Sequence, residues 1–203
     1  AAERLARLLD LEDTPLLLHC LDVSTTQGTN TVASRVCFSE GQPHKGQYRR
    51  FKISKEHAGD DFSAMEEAVR RSLRLCLERE EEELPDLLIV DGGRGQLSAA
   101  ERAVEELGLE SDIWLCGLAK SRLKGRGDRR SESGERIFLP GQETPIPLGK
   151  DTAEMLLVAA IRDEAHRFAI TYHRKQRGKI TSELDDIPGV GPTRRKALLR
   201  HFG

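Results

Sequence analysis

The sequence lacks the long apolar segments that membrane and secreted proteins carry. No run approaches the roughly 18 apolar residues that a membrane-spanning helix needs, and no N-terminal stretch has the pattern of a signal peptide. We therefore expect neither a membrane anchor nor a secretory leader here, and a cytoplasmic location. The sequence starts at Ala1 and stops at Gly203, just after a predicted helix, so we expect a piece of a longer protein.

Cysteine is scarce, and its spacing excludes several kinds of site. The four cysteines are Cys20, Cys37, Cys76 and Cys116, no two of which form a CxxC pair. Each has apolar neighbours in the sequence. The pattern argues against a zinc site or a redox pair and predicts buried free thiols in a reducing compartment.

Common nucleotide-binding and hydrolase motifs are also missing. The glycines after Asp91 do not have the GxGxxG spacing, because the third residue after Gly95 is Ser98 and not a glycine. Gly149 and the lysine after it do not complete a P-loop, because Thr144 replaces the first glycine. No serine stands in a nucleophile elbow. Nucleotide binding and serine hydrolase chemistry therefore have little support.

The composition fits one globular domain with a small appendage, and its charge is unevenly distributed. Of the 203 residues, 37% are hydrophobic and 33% charged, with a formal net charge of −2. Residues 167–203 carry nine Lys or Arg against three acids, and residues 120–136 form a second basic island with seven. Concentrated positive charge on a near-neutral chain indicates a polyanionic partner, although either island alone is also explained by a solvated surface.

The order of predicted elements indicates an α/β fold in which helices pack on a mixed sheet. Residues 16–24, 31–39 and 47–54 predict three strands in an antiparallel meander. A helix over 62–78 follows and ends in a solvated glutamate run at 80–83. Next come a strand ending at Asp91, a helix over 94–107 and a strand over 112–118. The last elements of this part are a hairpin over 136–149 and a long helix over 151–173. We predict a domain over 1–174, a polar linker over 175–181 and a separate motif over 182–203.

Asp91 stands where the buried run LLIV meets a glycine-rich turn, and two interpretations are open. A carboxylate beside backbone that a ligand can approach closely suits metal chemistry. Alternatively, Asp91 caps the helix that starts near Arg94. Asp22 ends the first predicted strand, so both carboxylates converge at one sheet edge if the two strands are neighbours. Such a pair suits Mg²⁺ or Mn²⁺.

A histidine on the long helix is a candidate third member of this site. His166 lies one residue from the apolar stripe of the helix, where it could ligate a metal or activate water. His173 lies on the same helical face two turns later, so position alone does not choose between them.

The C-terminal stretch SELDDIPGVGPTRRKALLRHF is typical of a helix-hairpin-helix motif. The predicted DNA-binding residues are the turn Gly189, Val190 and Gly191 and the basic residues Arg194, Arg195 and Lys196. A glycine hairpin leading into a helix presents backbone N–H groups to a phosphate. An ordinary helical hairpin is the alternative.

Five ordered segments resemble the C-terminal half of the bacterial UvrC family, the incising subunit of nucleotide excision repair. They are LDVSTTQGTNTVAS (21–34), YRRFKI (48–53), DDFSAM (60–65), PDLLIVDGGRGQL (85–97) and IRDEAHRFAITYHR (161–174). LDDIPGVGPTRRKALLRHFG is similar to the first of that family's two helix-hairpin-helix motifs. The resemblance implies a ribonuclease-H-like nuclease domain whose Asp-Asp-His triad falls on Asp22, Asp91 and His166. A further family acid matches Asp61.

The resemblance also implies a function and its partners. We expect a metal-dependent endonuclease that uses Mg²⁺ or Mn²⁺ and makes the incision on the 5′ side of a lesion in double-stranded DNA. The family segments for the 3′ incision and for docking on UvrB would lie upstream of this sequence. The alternative is a non-catalytic DNA-binding scaffold with a decayed nuclease fold, which the presence of all three triad residues disfavours. A related nuclease acting on RNA or deaminated bases would have the same triad.

Overall fold

Eight strands form one mixed sheet in the computed structural model, which describes residues 1–26, 30–120, 135–185, 187 and 189–202. The strands are β1 (Leu17–Thr26), β2 (Asn30–Ser39), β3 (Gln42–Pro43), β4 (Arg49–Lys52), β5 (Leu87–Asp91), β6 (Trp114–Lys120), β7 (Glu135–Phe138) and β8 (Ile146–Pro147). Their order across the sheet is β3-β2-β1-β5-β6-β7-β8, and β4 also pairs with β2. β1 runs antiparallel to β2 but parallel to β5, which in turn runs parallel to β6.

Helices cover both faces of this sheet. They are α1 (Ala2–Leu9), α2 (Asp61–Glu78), α3 (Arg94–Leu107), α4 (Ala153–Asp185) and α5 (Pro192–Phe202), and a 3₁₀ turn spans Lys45–Gln47. Among the helices of the described residues, none is long and apolar enough to cross a membrane. The predicted mixed sheet with flanking helices and the antiparallel meander are confirmed, whereas the C-terminal helix-hairpin-helix motif stays a prediction.

The alternation of side chains along β1 and β5 creates two separate cores. Leu21 and Val90 face α2 and α3, and pack with residues such as Met65. Cys20 and Ile89 face the opposite way and pack with α1 and with the Leu157, Ile161 and Ala165 stripe of α4. The four cysteines are free and buried, as the sequence predicts.

Local sequence signals explain where α2 begins and where α3 ends. The Asp60 side chain accepts hydrogen bonds from the backbone N–H groups of Phe62 and Ser63, both at 3.1 Å, and so caps the N-terminus of α2. Gly108 ends α3 in the left-handed conformation, with φ of 66°. The observed range of α3 matches the predicted range.

The long helix extends beyond its predicted end at His173 and continues to Asp185. Residues 175–181, predicted as a polar linker, are therefore helical. The sequence from 174 to 185 contains no proline, and the single Gly178 does not by itself stop a helix. The division into a nuclease domain and a C-terminal motif stays a prediction, now with a helical connection.

The predicted solvation of the glutamate run at 80–83 is wrong for one residue. Glu82 is only 4% exposed and forms ion pairs with the fully buried Arg35 and with Arg49. Arg35 also donates hydrogen bonds to the backbone oxygen of Gln47 at 3.0 Å and to the Ser72 hydroxyl at 3.2 Å. This buried network ties β2 to α2 and to the loop that follows α2.

Candidate active site

Two carboxylates lie next to each other at one edge of the sheet. In the parallel pairing of β1 with β5, Leu21 is opposite Val90, so the next residues, Asp22 and Asp91, stand side by side. By the alternation of the strands, both side chains point to the α4 face, beyond Cys20 and Ile89. The strands are therefore the neighbours that the predicted convergence requires.

Asp91 is not the cap of the helix that follows it. The N-cap of α3 is Gly93, and no side chain makes a capping hydrogen bond there. The structural alternative for Asp91 is therefore excluded, and its carboxylate is free for another role.

The pair of carboxylates carries an electrostatic cost. Asp22 is only 7% exposed and accepts a hydrogen bond from the Ser24 hydroxyl at 3.0 Å. Burial, together with the nearby charges of Asp22 and Glu135, raises the pKa of Asp91 to about 6. Two like charges at one site, one on the buried Asp22 and one on the half-buried Asp91, favour a cation between them.

Arg162 supplies part of the missing positive charge. This α4 residue is 8% exposed, forms an ion pair with Glu135 at the start of β7, and donates to the Asp163 carboxylate at 2.9 Å. Its charge lowers the pKa of Asp91 against the larger effect of burial. Sequence reasoning missed Arg162 and Glu135; the available signal was that Arg162 precedes His166 by four residues, hence on the same helical face.

His166 lies on α4 one turn beyond Arg162, with an exposed side chain. Its positive charge would lower the pKa of Asp91, so the ring is within electrostatic range of the carboxylate pair. Nevertheless, within the described parts of the chain, no three His, Cys, Asp or Glu side chains form a ready-made metal-binding group. The structure thus brings Asp22 and Asp91 together and places His166 nearby without completing the triad. The His173 side chain is outside the described residues.

Asp61 is at the same edge of the sheet but in the other layer. It is the exposed first residue of α2, which packs with α3 on the face opposite to α4. It is not among the groups with the largest effects on the pKa of Asp91. The predicted contribution of Asp61 to the site therefore stays a prediction.

The predicted DNA-binding residues form an exposed turn before α5. Gly189 has φ of 87°, and its backbone oxygen accepts a hydrogen bond from Arg194 Nη1 at 2.9 Å. Gly191, Arg194 and Lys196 are exposed, and Val190 is half-buried. The Arg195 side chain and residues 121–134 of the second basic island lie outside the described part of the chain.

The donor chemistry of the carboxylate pair fits a divalent cation. Asp22 and Asp91 offer hard oxygen ligands, and burial together with the charge of Asp22 raises the pKa of Asp91. A small ion with retained waters would neutralise both groups. His166 would add a nitrogen donor from the adjacent helix.

A cavity of about 420 Å³ lies away from this pair, at the opposite end of the strands. Leu87 and Trp114, the first residues of β5 and β6, line it together with the acidic residues Asp10, Glu101 and Glu105. Its negative rim is unsuited to a polyanion. The open sheet edge at Asp22 and Asp91 is therefore a better candidate site for a polyanionic ligand than this cavity.

Comparison with known proteins identifies a family. The model of the UvrC RNAse H endonuclease domain matches residues 6–170. UvrABC system protein C of Geobacter metallireducens is 47% identical over 96% of this chain and 32% of its own length. The protein of the same name from Thermobifida fusca is 43% identical over 100% of this chain and 33% of its own length. The chain thus spans about a third of the length of these relatives.

Two solved structures overlap with most of the chain at low identity. The catalytic domain of human Endonuclease V has a TM-score of 0.46 and 19% identity, covering 87% of this chain and 95% of that one. The second is Ciona intestinalis Endonuclease V in complex with a 24mer DNA containing an inosine followed by a ribo-adenosine. It has a TM-score of 0.45 and 15% identity, covering 82% of this chain and 87% of that one. The family match agrees with the ribonuclease-H-like fold that the sequence resemblance implies.

Proposed function

Because the chain belongs to the family of UvrC ribonuclease H endonuclease domains, we propose that it is a metal-dependent endodeoxyribonuclease. The observation that carries the proposal is the juxtaposition of Asp22 and Asp91 at the ends of two parallel strands. The Asp91 pKa of about 6 supports an ionised carboxylate at neutral pH that lacks a full complement of positive charge. That is the electrostatic environment in which a divalent cation binds.

Each polar residue of the site has a distinct task in this proposal. Asp22 and Asp91 would hold Mg²⁺ or Mn²⁺, and His166 would serve as a ligand or accept the proton of the attacking water. When bound, the ion polarises the scissile phosphate and stabilises charge on the leaving oxygen. Ser24 fixes the Asp22 carboxylate through its 3.0 Å hydrogen bond. Arg162, held by Glu135, keeps positive charge beside Asp91.

The proposed substrate is damaged double-stranded DNA, cut on the 5′ side of the lesion in nucleotide excision repair. The turn at Gly189–Gly191 and the basic residues after it would contact phosphates, which position a strand without reading its sequence. Lesion targeting would come from UvrB and from segments outside this chain. The proposed location is the cytoplasm. Asp61 would support the site or contribute to a second metal position.

The second candidate is a non-catalytic DNA-binding scaffold. The observation that favours the scaffold is that His166 is exposed and, within the described residues, does not form a ready-made metal-binding group with the carboxylates. A scaffold would bind DNA and leave it intact whatever metal is supplied.

Nicking of supercoiled plasmid DNA separates the two candidates. We expect the chain to convert plasmid to the nicked form with Mn²⁺ or Mg²⁺ but not with EDTA. The isosteric Asp22→Asn change should reduce the rate by at least about 100-fold, because it removes a ligand charge needed in the transition state. Asp86→Asn, a matched change at the opposite end of β5, should leave the rate unaltered. DNA binding without nicking under every metal condition would favour the scaffold.

The strand and side of the cut require the longer protein. In a full-length relative that carries this domain, substitution of the residue aligned with Asp22 should remove the 5′ incision of a lesion-containing duplex while the 3′ incision persists. Loss of both incisions, or retention of the 5′ cut at the normal rate, would contradict the assignment.

A further inference from the structure

A half-exposed aromatic ring stands at the same sheet edge as the carboxylate pair. Phe62, the second residue of α2, is 47% exposed. Exposed aromatic rings are a common means of holding unpaired nucleobases, because every base offers a flat face for stacking. Three observations indicate that this ring is placed for such a contact.

The first observation is its position along the sheet. Lys52, the last residue of β4, pairs with Val32, which in turn pairs with Ser24. The chain that leads from β4 to α2 therefore leaves the sheet two residues beyond the level of Asp22. α3 also begins at this edge, three residues after Asp91. A strand bound across the carboxylates would pass the start of both helices.

The second observation is how the ring is seated. A Cβ atom built on Gly95, in the first turn of α3, would lie 2.2 Å from Phe62 Cε1 and 2.6 Å from Cζ. Only glycine permits this approach, although glycine is less favourable than alanine in a helix. One side of the ring is thus fixed against α3 while the remainder faces solvent. A platform held in this way loses little conformational freedom when it binds.

The third observation is the charge around the ring. Asp60 and Asp61 precede Phe62 and are both exposed. Their negative charges disfavour a phosphate at this position, so the part of a nucleic acid that can approach the ring is a base. The Asp60 carboxylate is already occupied by the backbone N–H groups of the first turn of α2.

We propose that Phe62, seated on Gly95, is a stacking platform for one unpaired nucleobase of the strand that crosses the Asp22–Asp91 edge. The inference rests on the proposed function and adds a subsite to it. The ring would hold the base beside the cut and keep the strand in line with the carboxylates. It would not discriminate between bases, because stacking is tolerant of sequence.

The test measures binding of oligonucleotides to the whole chain in EDTA, which prevents cleavage. The probes are duplexes with a short unpaired bubble, each carrying 2-aminopurine at a different position of the bubble. We expect one position at which binding quenches the fluorescence, and Phe62→Ala should abolish that quenching and weaken binding by about 5- to 100-fold. Phe62→Trp should retain both properties. Leu77→Ala, an equally exposed position at 52% near the other end of α2, should change neither.

Two further measurements separate stacking from other effects of the change. The loss of affinity for Phe62→Ala should be the same factor at every salt concentration, because stacking releases no counterions. Phe62→Leu keeps an apolar contact with Gly95 but offers no ring, and it should bind as weakly as Phe62→Ala. An abasic residue at the quenched position should make the native chain and Phe62→Ala equal in affinity.

The outcomes distinguish this inference from the proposed function. If the native chain nicks plasmid DNA but Phe62→Ala binds and quenches like the native chain, the base subsite is wrong and the nuclease assignment survives. A salt-dependent loss, or full binding by Phe62→Leu, also overturns the subsite. Failure of the native chain to nick any DNA overturns both proposals.

Discussion

At the scale of single residues, the site combines groups that are individually unfavourable for folding. Asp22 is nearly inaccessible, and the pKa of Asp91 is raised to about 6 by burial and by the charge of Asp22. The only buried cation whose charge is seen to oppose this effect within the described residues is Arg162, and it is also committed to Glu135. An electrostatic cost of this kind is expected where a bound ligand relieves it.

Removal of one of the two charges should therefore stabilise the metal-free chain. In EDTA at neutral pH, we expect Asp91→Asn to raise the melting temperature by about 2–4 °C, which corresponds to about 1 kcal/mol for a chain of this size. The side chain keeps its shape but no longer repels Asp22. Differential scanning calorimetry of both proteins measures the change.

The control for this prediction is at the other end of β5. The Asp86 carboxylate accepts hydrogen bonds from the backbone N–H groups of Leu16 at 2.7 Å and Leu17 at 2.8 Å, so its negative charge is stabilised. Asp86→Asn should not raise the melting temperature. A lower melting temperature for Asp91→Asn than for the native chain would show that its charge is not a cost.

The role of His166 separates into two testable versions. Carboxylates alone favour hard ions, whereas one imidazole ligand shifts the preference among Mg²⁺, Mn²⁺ and Ca²⁺ toward Mn²⁺. If His166 is a ligand, we expect His166→Ala to weaken the binding of Mn²⁺ more than the binding of Mg²⁺ in calorimetric titrations. If it only handles the proton, His166→Ala should lower the nicking rate at nearly unchanged Mn²⁺ affinity.

His173→Ala, a change on the same helix, is the matched control and should alter neither quantity. Equal affinities of the native chain for Mn²⁺ and Mg²⁺ would contradict the ligand version.

At the scale of elements, α4 links the site to the C-terminal basic residues. It carries Arg162 and His166 beside the carboxylates and then continues to Asp185. The turn and α5 follow directly, with the left-handed Gly189 between the two helices. The basic segment is thus attached through a helical connection rather than the irregular linker that its polar composition suggests.

Deletion of residues 182–203 tests whether this segment acts on DNA independently of the core. The deletion should weaken DNA binding and flatten its salt dependence, because phosphate contacts that release counterions are lost. The melt should stay cooperative, since Ala169 is the last buried residue of α4 among those whose side chains the structure describes. Fluorescence anisotropy over a salt series and a thermal melt give both results. A lost cooperative melt would place the segment within the core.

The elements that could be predicted from the sequence are those with strong local signals. α3 has a glycine turn before it and Gly108 after it, and its range is correct. The strand ending at Asp91 is a continuous apolar run, which periodicity identifies well. Polar composition predicts a linker after His173, but α4 continues to Asp185, because composition does not stop a helix in the absence of proline.

Long-range partners account for what local patterns could not predict. Glu82 lies in a run of four glutamates that is typical of a solvated surface, and only the folded chain brings it to Arg35. Arg162 likewise becomes part of the site through β7 and Glu135, which precede it by more than twenty residues. The sequence predicts that Asp22 and Asp91 converge if their strands are neighbours, and the parallel pairing of β1 with β5 meets that condition.

At the scale of the whole molecule, charge and topology divide the surface by function. The carboxylate edge, Phe62 and the starts of α2 and α3 are at one end of the central strands, whereas the acid-rimmed cavity is at the other end. Basic residues exceed acids at 167–203 (nine against three) and at 120–136 (seven against three), while the formal net charge of the chain is only −2. A polyanion would therefore be oriented toward the α4 and α5 side rather than held over the whole surface.

The most direct test of the account is a crystal structure of the chain soaked in Mn²⁺, with anomalous diffraction measured at the manganese edge. The account predicts an anomalous peak between the carboxylates of Asp22 and Asp91, within about 2.0–2.4 Å of an oxygen from each. The peak should be absent from crystals of Asp91→Asn. A peak elsewhere on the surface with none at this pair would contradict the assignment of the metal site, and with it the proposed mechanism.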